Sequence, residues 1–283
     1  MNIIVSKQWV LARMYETDVV IVDCRFDMTS PEAGHASYNE SHVPGAVYLD
    51  LEQDLSAPVD THGGRHPLPD PSELAAKFSR AGISNQSRVI AYDDQGGMIA
   101  ARLWWLLRWL GHDDVFVMDE GFTAWKDGGY PVTDNQRVIV PATFTVNIQS
   151  NMLADVHEVR DSIENNQVIL VDSRESKRYL GIEEPIHKRA GHIPGAINRF
   201  WKNLKDKRGF WKSEPEIRAE LAPVTEAMDQ GKVVIMYCGS GVSATPNVLA
   251  LHLLGYKQAK LYAGSWSDWI SYEHNPVATG EEK

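Results

Sequence analysis

The residue type best suited to covalent chemistry in this chain is the cysteine at position 238. It follows the apolar run VVIMY and opens a loop of small residues: Gly239, Ser240, Gly241, Val242 and Ser243. Small side chains allow a tight loop whose backbone N–H groups point inward, and such a loop at a helix N-terminus binds anions. The same positive potential stabilises a thiolate, the nucleophilic form of cysteine. We therefore expect Cys238 to be a nucleophile inside an anion-binding loop.

Two other kinds of site are disfavoured by residue spacing. Cysteine-dependent phosphatases need an arginine six residues after the cysteine to clamp the phosphate, and position 244 is alanine. A metal site is poorly supported, because the chain has no C-x-x-C motif and a Gly-Gly pair separates His62 from His66. Cys24 follows an apolar run without a glycine-rich loop, so we expect it to be structural.

The elements that must position Cys238 follow from an internal repeat. VVIVDCR at 19–25 matches VILVDSR at 168–174, and SHVPGAV at 41–47 matches GHIPGAI at 191–197. Each half alternates short β-branched runs with helical patterns, which is typical of a parallel sheet flanked by helices. The sequence therefore predicts an α/β fold of two tandem domains, residues 1–133 and 152–283, joined by a polar linker at 134–151.

The predicted elements place Cys238 at the end of a strand. Apolar β-branched runs predict strands at 19–23, 89–92, 115–118, 168–172, 233–237 and 260–262. Helices are predicted at about 99–110 and 242–254, because a glycine follows the last apolar position of each. Ser6 and Ser72 are expected to be N-caps of two further helices. The carboxyl ends of parallel strands, where Cys238 falls, are where such sheets bind ligands.

Composition and charge exclude several classes of function. The 283 residues include 28 Lys and Arg against 38 Asp and Glu, a net charge of −10, so nucleic acid is not an expected partner. No apolar run approaches the ~18 to 20 residues that span a bilayer, so no membrane partner is expected. Two cysteines and an N-terminus without signal-peptide features favour a reducing cytoplasm, and we expect a monomer. At 174–212 eleven Lys and Arg outnumber four Asp and Glu, which would steer a small anion towards Cys238.

Several ordered motifs make the chain similar to a known family. The tandem repeat, the SHVPGA and GHIPGA segments, CGSGVS, and GFTAW and GSWSDW near the ends of the halves resemble the two-domain rhodanese-like sulfurtransferases. The resemblance implies that Cys238 attacks a sulfane sulfur, holds it as a persulfide and passes it to cyanide, a small thiol or a thioredoxin-like protein. It implies no metal and no other cofactor. Asp93 takes the place of Cys238 in the first half, which implies a catalytically inactive copy.

The same resemblance suggests a donor and its binding residues. The family's thiosulfate branch carries a loop like CRKGVT and its 3-mercaptopyruvate branch a loop like CGSGVT, so CGSGVS resembles the second. Arg178 and Arg189 match the family's substrate-binding arginines by their place between VDSR and GHIPGA. Arg65 adds positive charge that favours thiosulfate, so both small anionic donors stay open.

A proton relay is also implied for the mercaptopyruvate branch. Its members are a loop serine, a histidine and an aspartate, and Ser240, His66 and Asp50 match them in CGSG, RHPLP and GAVYLD. A histidine held by a carboxylate could protonate the leaving enolate through Ser240.

Two functions of other classes remain as alternatives to a sulfurtransferase. A non-catalytic scaffold that accepts a persulfide for a partner protein would share the loop but would show no multiple turnover with a small donor. A cysteine-dependent phosphatase would hydrolyse aryl phosphates, and Ala244 disfavours it.

Overall fold

A computed structural model describes residues 3–281, and its strands are short and all parallel in their pairing. The strands are β1 (Ile4–Val5), β2 (Val19–Asp23), β3 (Val47–Tyr48), β4 (Arg88–Tyr92), β5 (Val115–Met118), β6 (Leu153–Ala154), β7 (Val168–Asp172), β8 (Ile197–Asn198), β9 (Val233–Tyr237) and β10 (Lys260–Tyr262). Two 3₁₀ helices cover Ser150–Met152 and Trp201–Leu204.

Along the chain the helices follow or separate the strands. They are α1 (Lys7–Leu11), α2 (Glu32–Glu40), α3 (Pro71–Arg80), α4 (Met98–Trp109), α5 (Phe122–Asp127), α6 (Val156–Ser162), α7 (Ser176–Tyr179), α8 (Glu214–Glu220), α9 (Ala222–Asp229), α10 (Thr245–Leu253) and α11 (Ser265–Trp269). No helix within residues 3–281 is both long and apolar enough to cross a bilayer.

The two sheets have the same strand order. One runs β1-β5-β4-β2-β3 and the other β6-β10-β9-β7-β8, so each strand of the first half has its counterpart in the second. The central strands β2, β4, β7 and β9 are buried along most of their length, since helices cover parallel sheets on both faces. The prediction of two tandem α/β domains with parallel sheets is confirmed.

The chain divides into two compact units that are not consecutive in sequence. The first contains residues 3–57 and Pro69–Gln149, and the second contains Pro58–Leu68 and residues 150–281. Most of the segment predicted as a linker, up to Gln149, groups with the first unit. The sequence did not indicate that Pro58–Leu68, which carries His62, Arg65 and His66, groups with the second unit.

Most of the predicted elements are confirmed, and two helix starts are wrong. Ser6 is an N-cap whose side chain accepts from Trp9 N–H, but Ser72 lies inside α3. Asp70 is the N-cap there, because Pro71 has no N–H to satisfy and suits the first helical position. The helix predicted from about residue 242 begins at Thr245, since residues 242–244 complete the turn of the Cys238 loop.

A repeated aspartate and arginine hold the GHIPGA segment beside the end of β9. Asp172 forms a buried ion pair with Arg174, whose Nη2 donates to Gly191 O at 2.6 Å. The Tyr237 hydroxyl accepts from Ile193 N–H at 3.1 Å. Breaking a buried pair of this kind costs about 3–5 kcal/mol. The first unit repeats the arrangement with Asp23, Arg25, Ser41, Val43 and Tyr92.

Candidate active site

Cys238 is the first residue after β9, and its loop is bonded to the start of α11. Its N–H donates to Ser265 Oγ at 3.0 Å, and Ser265 Oγ lies 4.0 Å from the Cys238 sulfur. The carbonyl oxygens of Cys238 and Gly239 accept from Trp266 N–H and Ser267 N–H, both at 2.9 Å. These bonds fix the backbone on both sides of the thiol, as a nucleophile held in one geometry requires.

Two residues at the site hold left-handed backbone conformations. Gly241 has φ of +77°, and a Cβ atom there would overlap the carbonyl group of Ala263, so only glycine fits. Ser265 has φ of +55° and is the one non-glycine residue with positive φ among residues 3–281. Such a conformation costs about 1–2 kcal/mol. It lets the Ser265 hydroxyl accept from Cys238 N–H while donating to Tyr262 O at 2.8 Å.

The loop after Cys238 presents backbone N–H groups that have no acceptor. Within residues 3–281 no hydrogen bond is found from the N–H groups of Ser240, Val242, Ser243 and Ala244. Ser240, Val242 and Ala244 are nevertheless buried. Buried N–H groups without an acceptor are rare, so several in one loop indicate a place for an anion. That this loop binds an anion stays a prediction, which the N–H groups without acceptors support.

The matching loop of the first unit already holds an anion. The Asp93 carboxylate accepts from four N–H groups: Gln95 at 2.9 Å, Gly97 at 2.7 Å, Ile99 at 2.8 Å and Ala100 at 2.9 Å. Asp93 aligns with Cys238, so these donors align with residues 240, 242, 244 and 245. The first loop is thus closed by its own side chain, and the second keeps three of the four aligned N–H groups without acceptors. Thr245 N–H is the exception and donates to Val242 O.

The structure brings Ser240 and His66 together. Ser240 Oγ lies 2.8 Å from His66 Nδ1, and both side chains are buried. Bonds to α11 hold the segment that carries His66, because Gly63 N–H donates to Asp268 Oδ1 and Arg65 N–H donates to Ser267 Oγ. The pair has the geometry for proton transfer between hydroxyl and imidazole.

Asp50, the third predicted member of the relay, lies in the first unit. Its Oδ2 accepts from the Tyr48 hydroxyl at 3.1 Å, and its Oδ1 accepts from Glu52 N–H and Gln53 N–H. These bonds hold the carboxylate in its own loop after β3. Its part in the relay stays a prediction.

Arg178 lies beside the first glycine of the Cys238 loop. A Cβ atom on Gly239 would lie 3.6 Å from Arg178 Nη2 and 3.4 Å from His187 Cε1. Glu184 orients Arg178 by accepting from Nη2 at 2.9 Å and from Nε at 3.2 Å. Arg178 Nη1 has no acceptor among the described residues. Burial opposes ionisation of Glu184, but the bonds from Arg178 hold the pKa of this carboxyl below its usual range.

For Arg189, the other predicted binding arginine, the role in donor binding stays a prediction. Its Nη1 and Nη2 both lie 3.4 Å from Asn275 O, and its carbonyl oxygen accepts from Trp266 Nε1 at 3.1 Å. His187, two residues earlier, is the side chain that stands with Arg178 next to Gly239. Sequence reasoning missed His187, Glu184 and Ser265, because only the folded chain brings them to the loop.

Cys24 differs from Cys238 in its surroundings. It is fully buried after β2, and burial, with Asp93 and Asp23 nearby, raises the pKa of the Cys24 thiol well above its ordinary value. A buried thiol that resists ionisation is unreactive. The structural role predicted for Cys24 agrees with this environment.

A cysteine directly after a central parallel strand, in a loop whose N–H groups lack acceptors among the described residues, is the arrangement expected of a cysteine-dependent group-transfer enzyme. The model of the rhodanese-like domain matches residues 6–128 and 155–272, and the chain belongs to the rhodanese family. Its similarity to named sulfurtransferases covers nearly the whole chain, and the protein is a sulfurtransferase, as predicted.

Three relatives show the extent of the similarity. A Pseudomonas aeruginosa protein named "Probable 3-mercaptopyruvate sulfurtransferase" is 42% identical over 98% of this chain and 98% of its own. The thiosulfate sulfurtransferase of Bos taurus is 34% identical over 88% of this chain and 84% of its own. The crystal structure of SseA from Escherichia coli, described as a 3-mercaptopyruvate sulfotransferase, superposes with a TM-score of 0.83 at 28% identity, covering 94% of this chain and 100% of that one.

Proposed function

We propose that this sulfurtransferase takes a sulfane sulfur from 3-mercaptopyruvate onto Cys238 and passes it to cyanide, a small thiol or a thioredoxin-like protein. The loop after Cys238 carries the proposal, because within residues 3–281 the N–H groups of Ser240, Val242 and Ala244 have no acceptor, while Asp93 closes the matching loop. The outer sulfur of a persulfide is negatively charged, and preorganised N–H groups would stabilise it without a cofactor.

The reaction consists of two half-reactions at the Cys238 sulfur. The thiolate attacks the donor sulfur, an S–S bond forms as the donor's C–S bond breaks, and pyruvate leaves as its enolate. The donor's S–H proton ends on the enolate carbon by way of Ser240 and His66, so the persulfide is left as an anion. The acceptor then attacks the outer sulfur, the S–S bond breaks and the thiolate is regenerated. With cyanide as the acceptor the product is thiocyanate.

Ser240 and His66 are proposed to deliver the proton to the enolate. Their 2.8 Å contact supports a transfer from the Ser240 hydroxyl, which His66 then restores. Asp50 is proposed to orient His66, by the family resemblance. This step is needed for 3-mercaptopyruvate but not for thiosulfate, whose leaving group is sulfite.

The donor carboxylate is proposed to bind Arg178 beside the loop. Its Nη1 is the nitrogen left over after Glu184 has bonded the other two, and a bound guanidinium is already oriented for an anion. Gly239 leaves space next to it, which a long basic side chain at this position would fill. Gly241, Val242 and Ser243 complete the loop. Arg189 is proposed as a weaker contributor, from its place in the sequence.

Thiosulfate is a second candidate donor, and one observation favours it. The guanidinium of Arg65 reaches the same region, with Nε donating to His187 Nε2 at 3.3 Å. A second guanidinium beside Arg178 would suit a donor with two negative charges. We propose that both donors act in a reducing cytoplasm, where the two free cysteines stay thiols.

A comparison of kcat/KM for the two donors, with cyanide as acceptor and Cys238→Ser as blank, tests the proposal. We expect a preference for 3-mercaptopyruvate and loss of nearly all turnover in the variant, with the fold retained. Mass spectrometry of wild type after donor alone should show one added sulfur on the peptide containing Cys238. Turnover in Cys238→Ser above about 1% of wild type would contradict the role of the cysteine.

A further inference from the structure

A buried carboxylate and a buried imidazole lie together at the side of the Cys238 loop. The Glu184 side chain is 3% exposed and accepts from Arg174 Nη1 at 3.3 Å as well as from Arg178. The His187 side chain is 4% exposed, and its Nδ1 lies 3.3 Å from Glu184 Oε1. The group therefore joins two arginines and one histidine to one carboxylate.

His187 is a neutral imidazole that lies between two guanidinium groups. Burial lowers its pKa to about 4, and the charges of Arg65 and Arg178 add to this effect against the opposing one of Glu184. Both ring nitrogens lie within hydrogen-bond distance of a guanidinium: Nε2 is 3.3 Å from Arg65 Nε, and Nδ1 is 3.0 Å from Arg178 Nη2. Nδ1 also lies 3.3 Å from Glu184 Oε1. The ring therefore connects Arg178 and Glu184 on one side with Arg65 on the other.

Arg65 reaches His187 along the edge of the loop. Its backbone N–H is bonded to Ser267 Oγ, and Ser267 N–H is bonded to the carbonyl oxygen of Gly239. Its guanidinium meets His187, whose Cε1 is 3.4 Å from a Cβ atom placed on Gly239. Both ends of the Arg65 side chain are therefore fixed next to the first residues after the thiol.

We infer that His187 is a specificity-determining positioning residue, which holds the Arg65 guanidinium at the donor site so that a donor with two negative charges is bound beside Arg178. The inference rests on the proposed function and adds to it the residues that select between donors. The interaction of a dianion with a given guanidinium is about twice that of a monoanion. Loss of Arg65 from this position should therefore weaken thiosulfate binding more than binding of 3-mercaptopyruvate.

A double-mutant cycle between the two residues tests this coupling. Arg65→Ala, His187→Ala and the double variant are compared with wild type by KM and kcat for both donors. We expect each single change to raise KM for thiosulfate about tenfold, to raise KM for 3-mercaptopyruvate much less, and to leave kcat nearly unchanged. The double variant should match Arg65→Ala alone, because His187 acts through Arg65.

Conservative variants separate positioning from general damage. The amide oxygen of His187→Gln can accept from Arg65 as Nε2 does, so we expect KM near that of wild type. His187→Asn keeps a polar group but is too short to bridge, so it should behave as His187→Ala and replaces that variant in the cycle if His187→Ala does not fold. Lys177→Ala removes a positive charge next to Arg178 from an exposed ion pair with Glu183, and we expect no change in either KM.

Four results would overturn the inference: full additivity in the double variant, an equal rise in KM for both donors, no rescue by glutamine in a folded protein, or an effect of Lys177→Ala as large as that of Arg65→Ala. Failure of wild type to turn over either donor would overturn the proposed function instead, before any variant is compared. The two proposals therefore fail in distinguishable ways.

Discussion

Removal of the Asp93 carboxylate should destabilise the first unit far more than removal of the Cys238 thiol destabilises the second. Asp93→Ala leaves four N–H groups at and just before the start of α4 without this acceptor, three of them buried and that of Gln95 half-buried. An unsatisfied buried N–H group costs about 1–3 kcal/mol, so at the lower end the three buried groups give about 3 kcal/mol. Cys238→Ala is the matched control, since within the described residues the one polar contact of the thiol is with Ser265 Oγ at 4.0 Å, and we expect a loss of about 1 kcal/mol.

The free energy of unfolding is measured by urea denaturation, with hydrogen exchange on peptides 89–103 and 234–248 to assign each loss to its unit. Sulfate provides a second readout. In Asp93→Ala an external oxyanion can occupy the emptied loop, so added sulfate should raise stability more than it does in wild type. The reasoning would be refuted if Asp93→Ala and Cys238→Ala were equally stable, or if sulfate stabilised wild type and Asp93→Ala by the same amount.

Three further predictions concern the second unit. Gly241→Ala should lose at least about 2 kcal/mol of stability and most activity, because the new Cβ meets the carbonyl group of Ala263 at a positive φ. Gly255→Ala also has a positive φ but open space around the Cβ, so it should lose about 1 kcal/mol. Thermal melts and turnover check both variants. Ser265→Gly relieves a strained φ but removes the acceptor for Cys238 N–H, so kcat should fall with little change in Tm, and an unchanged kcat would exclude a role for this hydroxyl. Folding lowers the pKa of His187 from 6.5 to about 4, so the unfolded chain binds more protons between these values, and stability should fall as pH drops from about 6.5 to 4. His187→Gln should flatten that part of the curve of unfolding free energy against pH.

The sequence predicted the sheets well because their strands are buried on both faces. Short apolar runs rich in valine and isoleucine, such as VVIVD and VILVD, are typical of central parallel strands. The internal repeat shows each such run once in each half of the chain. The two-residue strands β1, β3, β6 and β8 escaped prediction, because two residues give no periodicity. Their positions depend on pairing with neighbours rather than on local pattern.

Site residues that are consecutive in the sequence could be predicted, whereas site residues that only folding brings together could not. Cys238 and its glycine loop are consecutive, so residue types alone indicate an anion-binding nucleophile. His187 and Glu184 lie in a charged segment whose pattern does not distinguish a solvated surface from a buried ion cluster. Ser265 looks like an ordinary serine after glycine, and only its positive φ shows that it holds the Cys238 backbone.

Because residues 58–68 belong to the second unit, the first half of the chain cannot be deleted without loss from the second unit. A shortened gene that kept only residues 150–283 would retain the thiol, its loop and Arg178 but would lose His66 and Arg65, which the first half of the chain supplies. The first repeat has Asp93 in place of a thiol, yet its half of the chain encodes the segment whose His66 contacts Ser240. The two halves of the gene therefore do not code for two independent units, and deletion of the first would remove part of the second.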